Sequence, residues 1–284
     1  MAPMRPSRLL ILGAGYTGRR LYAVAKAGGA RVWATSRHPE SRLPHIDADD
    51  RLVFDLACPA TWTALPSDCD VVWCFPATPI QFVRKFIESR QGAIRRLLVL
   101  GSTSAYADSN PSRAYPPPWL NESARIDTAQ PRVQGEEYLR TGWGAVVLRV
   151  AGIYGPGRNP LDWIRQHRVA SSPRYVNFIH VDDLAGICLK LCERGSPGEV
   201  YNVSDGTPRT WRAVCRMAQT HWAIRPSDKD TRGEIGKRID TAKLRRAIEY
   251  VFMYPDLYGA LRSLEPPSDG STQGGHARPG SAGG

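Results

Sequence analysis

A glycine-rich segment near the start most constrains what this chain can fold into. Residues 9–18 read LLILGAGYTG, an apolar run of strand length followed by three spaced glycines. This pattern predicts a buried strand, a turn and a helix over Arg19–Lys26. Gly13 makes the turn, Gly15 lets a diphosphate approach the backbone, and Gly18 lets the helix pack on the strand. The segment therefore predicts a dinucleotide site, with the diphosphate at the helix N-terminus.

The length of 284 residues allows one large domain or two small ones with a sizeable core. No apolar run reaches the roughly 18 residues that a membrane-spanning helix needs. The apolar stretch at the start is too short for a signal peptide. The six cysteines form no C-x-x-C pair and lie in apolar segments, which predicts reduced core thiols, a cytoplasmic protein and no metal site.

The formal net charge of +11 raises the question of a nucleic-acid partner. Only six of the 38 basic residues are lysines, and the 32 arginines are scattered along the chain. No zinc-finger, helix-turn-helix or RNA-binding pattern is present. We therefore expect a small-molecule substrate and no nucleic-acid partner, with part of the charge serving an anionic cofactor.

Strand-like and helical segments alternate along most of the chain, which is typical of an α/β protein with a doubly wound parallel sheet. Further strands are predicted at Arg31–Ser36, Leu52–Leu56, Asp70–Phe75, Arg96–Leu100, Ala145–Val150 and Tyr201–Val203. Further helices are predicted at Ile80–Ser89, Pro131–Arg140, Thr210–His221 and Ala242–Glu249, and Phe178–Cys192 is predicted to start extended and continue as a helix.

Several motifs follow the glycine turn in a fixed order. They are VLGSTSAY at 99–106, LRVAGIYGPG at 148–157, NFIHVDDLA at 177–185 and KRIDTAKL at 237–244. Together they resemble the extended short-chain dehydrogenase/reductase superfamily, in particular its NAD-dependent epimerase/dehydratase family. The resemblance implies a Rossmann-type domain over residues 1–264, with a small substrate lobe built from residues 156–176 and 199–264. Residues 265–284 are rich in glycine, serine and proline and are expected to be disordered.

The resemblance also implies an activity and a cofactor. Hydride would pass between NADP or NAD and a carbon of a sugar, a nucleotide sugar or a similar alcohol or ketone. Many such proteins dimerise through a helix pair, and the sequence leaves a homodimer open. The glycine spacing G-x-G-x-x-G departs from the G-x-x-G-x-x-G that is usual in the family.

A larger departure is the missing Y-x-x-x-K motif, whose tyrosine moves the proton that accompanies hydride transfer. The corresponding helix lies within residues 126–140. If Glu136 marks the glutamate that often follows the motif, Arg132 takes the lysine position and Thr128 the tyrosine position. If Glu137 marks it, Val133 and Ala129 take those positions. Either register supports an alternative function, a cofactor-binding sensor or scaffold without turnover.

The resemblance places other side chains near the reaction. Ser102 is the best match to an active-site hydroxyl, with Thr103 beside it, although both could simply satisfy backbone groups at a strand end. Tyr154, Arg158 and Arg174 are candidate substrate contacts; packing and a solvated arginine face are the alternatives. Tyr138 is interpreted as structural.

The expected cofactor contacts include the glycines, Tyr16 and Thr17 in the first helical turn, Asp55 and Pro76. After the second strand, Ser36 and Arg37 stand where an NAD-selective protein usually has an acidic residue. Because Arg37 can pair with a 2′-phosphate, NADP is the expected preference. In the His180-Val-Asp-Asp segment, the resemblance implies that an aspartate caps the next helix and that His180 ties two loops together.

Overall fold

A seven-stranded parallel sheet organises the computed structural model, which describes residues 8–107, 113–227 and 235–265. The strands are β1 Arg8–Leu12, β2 Arg31–Ser36, β3 Arg51–Val53, β4 Cys69–Trp73, β5 Ile94–Ser102, β6 Trp119–Leu120, β7 Val146–Val150, β8 Gly152–Tyr154, β9 Tyr175–Val176, β10 Phe178–His180, β11 Val200–Val203, β12 Arg209–Thr210 and β13 Arg238–Ile239. The main sheet has the order β11-β7-β5-β4-β1-β2-β3, and the other six strands form three two-stranded pairs.

Helices cover both faces of the sheet. They are α1 Tyr16–Ala27, α2 Pro39–Arg42, α3 Ile80–Ser89, α4 Pro131–Trp143, α5 Pro160–Arg165, α6 Val181–Arg194, α7 Trp211–Trp222, α8 Ala242–Ile248 and α9 Leu257–Leu264. Strand β1 shows why two layers form, because Leu9 and Ile11 pack with α1, α6 and α8 while Leu10 and Leu12 pack with α3 and α4. This arrangement confirms the predicted doubly wound α/β fold.

A separate apolar cluster forms a small lobe beyond the sheet. It joins α5, α7 and α9 through Tyr154, Leu161, Phe178, Trp211 and Leu261. Strand β11, which the sequence analysis assigned to the lobe, instead pairs with β7 as an edge strand of the main sheet.

The bounds of the strands and helices match several of the predicted bounds and correct others. Strand β2 and helix α3 have the predicted ends, whereas the first helix begins at Tyr16 rather than Arg19. Strand β3 ends at Val53, three residues early, because the Asp55 N–H donates to the Thr61 hydroxyl at 3.0 Å and turns the chain away.

Two further expectations concern the cysteines and the tail. Cys58 is exposed, contrary to the expectation that all six cysteines are core thiols; its loop lies outside the sheet. Glu265, the first residue of the predicted tail, packs on the lobe, and its carbonyl accepts the Trp222 indole N–H at 2.9 Å. The remaining tail, residues 266–284, lies outside the described residues. In the part of the chain that is described, no helix is long and apolar enough to cross a membrane.

Candidate cofactor cleft and active site

The glycine turn has the geometry that a diphosphate requires. Gly13 has φ +79°, and its N–H donates to the Thr35 hydroxyl at 2.9 Å. A Cβ on Gly18 would lie 3.0 Å from an Ile11 methyl carbon, so this glycine lets α1 approach β1. A Cβ on Gly15 would meet nothing within 4 Å. No side chain caps α1 and its first turn holds no acidic residue, so the helix N-terminus is open to an anion.

A cleft of about 580 Å³ opens from this turn across the carboxyl ends of β1, β2 and β4. Five predicted cofactor residues line it: Gly13, Gly15, Ser36, Arg37 and Asp55. Its apolar wall is formed by three phenylalanines that the sequence analysis did not single out, namely Phe54, Phe75 and Phe82. The cleft therefore offers an open backbone cradle next to a flat apolar wall, which suits a dinucleotide.

One end of the cleft is strongly basic. Arg37 lies there with Arg19 and Arg42, and all three side chains are exposed. None of these guanidinium groups forms an ion pair with a described residue. Neither Arg19 nor Arg42 was predicted from the sequence as a cofactor contact. The position of Arg19 directly after Gly18 could have indicated a place in the cleft. Arg42 reaches the cleft only because the chain turns at α2.

Four other predicted cofactor residues do not line this cleft. Thr17 and Gly18 are buried in the first turn of α1, and Pro76 is exposed beyond the end of β4. The Tyr16 hydroxyl points toward the lobe, where it would lie 2.8 Å from a Cβ on Gly155. It is buried without a described hydrogen-bond partner, and this burial raises its pKa.

A hydrogen-bonded cluster lies at the carboxyl end of β5. The Ser102 hydroxyl accepts the Ser104 N–H at 3.2 Å, and the two hydroxyl oxygens are 3.3 Å apart. The Arg132 guanidinium, from α4, donates to the Ser104 hydroxyl at 2.7 Å and to the Ser102 carbonyl at 3.4 Å. We call Ser102, Ser104 and Arg132 the serine–arginine cluster. The fold thus brings together a hydroxyl and a cation that are 30 residues apart.

The other two predicted catalytic residues, Thr103 and Thr128, are not members of the serine–arginine cluster. Thr103 begins the short turn after β5, and its carbonyl accepts the Tyr106 N–H at 3.4 Å. Thr128 is exposed, and its carbonyl accepts from the Gln134 side chain at 3.1 Å. Tyr138 lies between α4 and α3, where its hydroxyl donates to Glu88 at 3.3 Å and Arg84 covers its ring.

Behind the cluster, α4 buries a carboxyl group. Glu136 is only 2% exposed and packs against the backbone of Gly101. Burial raises the pKa of Glu136 to about 7, against the opposing effect of the Arg132 and Arg149 charges. The folded protein therefore holds this proton more tightly than the unfolded chain does.

A pH-dependent stability follows from Glu136. Because its ordinary pKa is 4.5, we expect stability to fall as pH rises from about 4.5 to about 7, where the buried group must ionise. Glu136→Gln removes this penalty and should stabilise the protein at pH 8 by about 2–3 kcal/mol relative to wild type, with little effect at pH 4. Denaturant unfolding at both pH values measures the difference; parallel stability profiles of variant and wild type would contradict the assignment.

The predicted substrate residues separate into two environments. Tyr154 is fully buried and packs edge-on against Phe178 and His180, so its assignment as a pocket residue is corrected: the lobe core encloses it. Arg158 is exposed beside a polar cleft of about 280 Å³, and its Nε donates to the Ile153 carbonyl at 2.8 Å. Arg174 is also exposed, just before β9.

The His-Val-Asp-Asp segment has both expected structural roles, but the helix cap comes from His180 rather than an aspartate, and Asp183 shares the contact between loops. The His180 Nδ1 caps α6 by accepting the Asp182 N–H at 3.2 Å. Asp183 ties the loops together, because its carboxylate accepts the N–H groups of Met253 at 2.7 Å and Tyr254 at 3.0 Å. The buried His180 ring also packs on the Tyr254 ring, with the centroids 3.7 Å apart. Among the described residues, no group of three or more potential ligands could hold a metal ion.

Comparison with known proteins shows which proteins share this architecture. No family model matches the chain. It is 24% identical over 270 residues to the protein YeeZ of Escherichia coli, covering 88% of this chain and 97% of YeeZ. It superposes with a TM-score of 0.74 and 25% identity on a provisional NAD-dependent epimerase/dehydratase from Methylobacillus flagellatus, covering 92% of this chain and 98% of that one.

Two more distant structures carry nicotinamide cofactors. A short-chain dehydrogenase/reductase superfamily protein from Agrobacterium tumefaciens with bound NAD is 12% identical, with a TM-score of 0.72 and coverage of 90% and 95%. RMD from Pseudomonas aeruginosa, complexed with NADPH, is 18% identical, with a TM-score of 0.64 and coverage of 91% and 97%. The chain therefore has the Rossmann-type fold of these proteins, and over about nine-tenths of its length it is similar to structures described as NAD-dependent epimerase/dehydratase and short-chain dehydrogenase/reductase superfamily proteins.

Proposed function

We propose that this chain is an NADP(H)-preferring oxidoreductase that acts on a sugar, a nucleotide sugar or a similar alcohol or ketone. The observation that carries the proposal is the position of the serine–arginine cluster relative to the cofactor cleft. In the sheet, β5 is separated from β1 only by β4. Neighbouring strands lie about 4.8 Å apart, so a ligand anchored at the glycine turn reaches the end of β5 within about 10 Å.

The cofactor assignment rests on the fit of the cleft and on the NAD and NADPH found in proteins of the same fold. Gly15 and the N-terminus of α1 would hold the diphosphate, and the phenylalanine wall would cover the adenine. When bound, a nicotinamide cofactor supplies or accepts the hydride. The chain's own residues then have to orient the substrate and manage its proton.

The serine–arginine cluster suits the first of these tasks. The Ser102 hydroxyl accepts the Ser104 N–H and donates to the Ser104 hydroxyl at 3.3 Å, a long bond that a substrate oxygen would replace as the acceptor. Arg132 supplies a fixed positive charge in the place of the family's lysine. This charge would stabilise an oxygen that gains negative character during hydride transfer.

Cofactor preference gives the first test. Arg37→Ala should weaken NADPH binding by about tenfold or more and leave NADH binding nearly unchanged, because only NADPH carries the 2′-phosphate. Titration of both cofactors against wild type and variant measures the change. Arg262→Ala, an exposed arginine on α9, is the matched control and should alter neither affinity. Equal affinities in the wild type, or tighter NADH binding, would contradict the preference.

Turnover gives the second test. Ser102→Ala should lower kcat by about tenfold to a hundredfold, since one hydrogen bond to a reacting oxygen is lost. Tyr138→Phe should leave kcat unchanged, because its hydroxyl contacts Glu88 on the far side of α4. Loss of activity in Tyr138→Phe alone would show that this helix has been assigned the wrong catalytic register.

A second candidate function is a cofactor-binding sensor or scaffold without turnover. It is favoured by Thr128, which stands exposed where the family's tyrosine would be and is far too weak an acid to replace a phenol. Purified protein with NADPH and a panel of carbonyl compounds distinguishes the two functions. Loss of reduced-nicotinamide absorbance supports the enzyme; tight NADPH binding with no loss for any compound supports the sensor.

A further inference from the structure

A second charged cleft lies away from the cofactor cleft, beside the edge strand β11. It has a volume of about 490 Å³ and lies between the loop at 122–126, helix α4 and the start of β11. Four basic residues line it, namely Arg125, Arg140, Arg149 and Lys243, together with three acidic residues, Glu122, Glu137 and Glu199. Nothing in the proposed oxidoreductase function uses this cleft.

The acidic residues of this cleft are already engaged. Glu137 accepts two hydrogen bonds from Arg140, at 2.6 and 2.9 Å. Glu199 pairs with Lys243, and Glu122 accepts the Asn202 N–H at 2.8 Å. The hydrogen bonds of these carboxylates thus go to partners other than the two remaining arginines, and the other Glu137 oxygen, Oε1, lies 3.7 Å from Arg149.

Arg149 is the unusual member of the set. It belongs to β7, the strand next to the edge strand β11, and is only 4% exposed. Its Nη1 donates to the Glu122 carbonyl at 3.2 Å, but the closest carboxylate, on Glu137, lies 3.7 Å away. Its Nε is buried and has no acceptor among the described residues. Buried charges are normally paired at hydrogen-bond distance, so this guanidinium lacks a full anionic partner.

Arg125 lies across the same cleft in the loop at 122–126. Its side chain is exposed, and no hydrogen bond or ion pair of that side chain with a described residue is present. The unpaired Arg125 and the incompletely paired Arg149 therefore border one cavity, which is roomy enough for a small organic anion. Guanidinium groups bind carboxylate and phosphate with paired N–H donors.

We propose that this cleft is a binding site for a small phosphate or carboxylate anion, held by Arg149 from the sheet and Arg125 from the loop. An anion bound there would affect the segment next to the serine–arginine cluster, because both arginines contact it. The Arg149 guanidinium lies 4.8 Å from the Tyr106 ring centroid, and the Arg125 carbonyl accepts the Ala107 N–H at 3.0 Å. Both contacts fall on the segment that directly follows Ser104.

The test is a calorimetric titration with inorganic phosphate. Wild type should bind phosphate, and Arg125→Gln should weaken this binding by about tenfold. The exposed Arg262→Gln is the matched control and should bind like wild type. Arg149→Met, which keeps the length and removes the charge, should lose binding while circular dichroism shows a folded protein; if it fails to fold, Arg125→Gln alone decides.

Phosphate could also enter the cofactor cleft, so Gly15→Val is titrated in parallel. Binding that persists in Gly15→Val and is weakened by adding Arg125→Gln belongs to the second cleft and supports the proposal. No phosphate binding in wild type would overturn it, since water alone would then satisfy Arg149. Binding lost in Gly15→Val but unchanged in Arg125→Gln would also overturn it, because the anion would then occupy only the cofactor cleft.

Discussion

Gly15→Val is expected to abolish dinucleotide binding while the protein stays folded. The backbone at Gly15 has φ −75° and ψ −151°, so it does not adopt the left-handed conformation that would require a glycine. Because a Cβ there meets nothing within 4 Å, the valine has room in the free protein. Its methyl groups would fill the open space in front of the α1 N-terminus, where the diphosphate has to approach.

The expected loss is large because several contacts disappear together. A diphosphate held off the helix N-terminus loses its backbone hydrogen bonds and the favourable helix dipole, so we expect affinity to fall at least a hundredfold. Calorimetric titration with NADPH measures the loss, and circular dichroism checks the fold. Gly15→Ala should show a smaller loss. Unchanged affinity in a folded Gly15→Val would remove the cofactor assignment.

Gly135→Ala should lower the free energy of unfolding more than any other substitution proposed for this protein. Gly135 lies in α4, and a Cβ there would be 1.8 Å from the Ala77 carbonyl oxygen and 2.8 Å from its carbon. Both are backbone atoms, so no side-chain rotation relieves the clash. Helix α4 or the loop at 74–79 would have to move, at a cost of about 3 kcal/mol.

The same helix offers a matched control. Gly142 is exposed in α4, and a Cβ there would meet nothing within 4 Å. Gly142→Ala should therefore stabilise the protein by about 0.5–1 kcal/mol, since alanine favours the helix. Thermal unfolding should show a midpoint roughly 5–10 °C lower for Gly135→Ala and no decrease for Gly142→Ala. Equal midpoints for the two variants would contradict the close packing.

The Ala77 contact also connects stability to the cofactor cleft. Ala77 lies between Phe75 and Thr78, which both line that cleft. Gly135 thus lets α4 support the loop that forms one wall of the cleft, while Arg132, one turn earlier, reaches the end of β5. A single helix therefore shapes the cofactor wall and positions the cation of the serine–arginine cluster.

What the sequence could predict is local in origin. Alternating and continuous apolar runs indicated the strands, and the glycine spacing indicated the turn, because both depend on backbone conformation within a few residues. The ends of β2 and α3 could be predicted to the residue because polar or proline residues interrupt the pattern there. The same local logic predicted the turn at Gly13 and the close packing at Gly18, both of which the structure has; Gly15 stays the predicted point of approach for a diphosphate.

Only the tertiary structure decided which distant side chains meet and which are buried. The convergence of Arg19 and Arg42 on Arg37, the burial of Tyr154 in the lobe, and the approach of α4 to Ala77 depend on contacts between separate elements. The same holds for Arg149, an ordinary residue of a strand motif in the sequence and an incompletely paired guanidinium in the fold. Burial and charge pairing are sums over neighbours brought from far along the chain, so no local pattern encodes them.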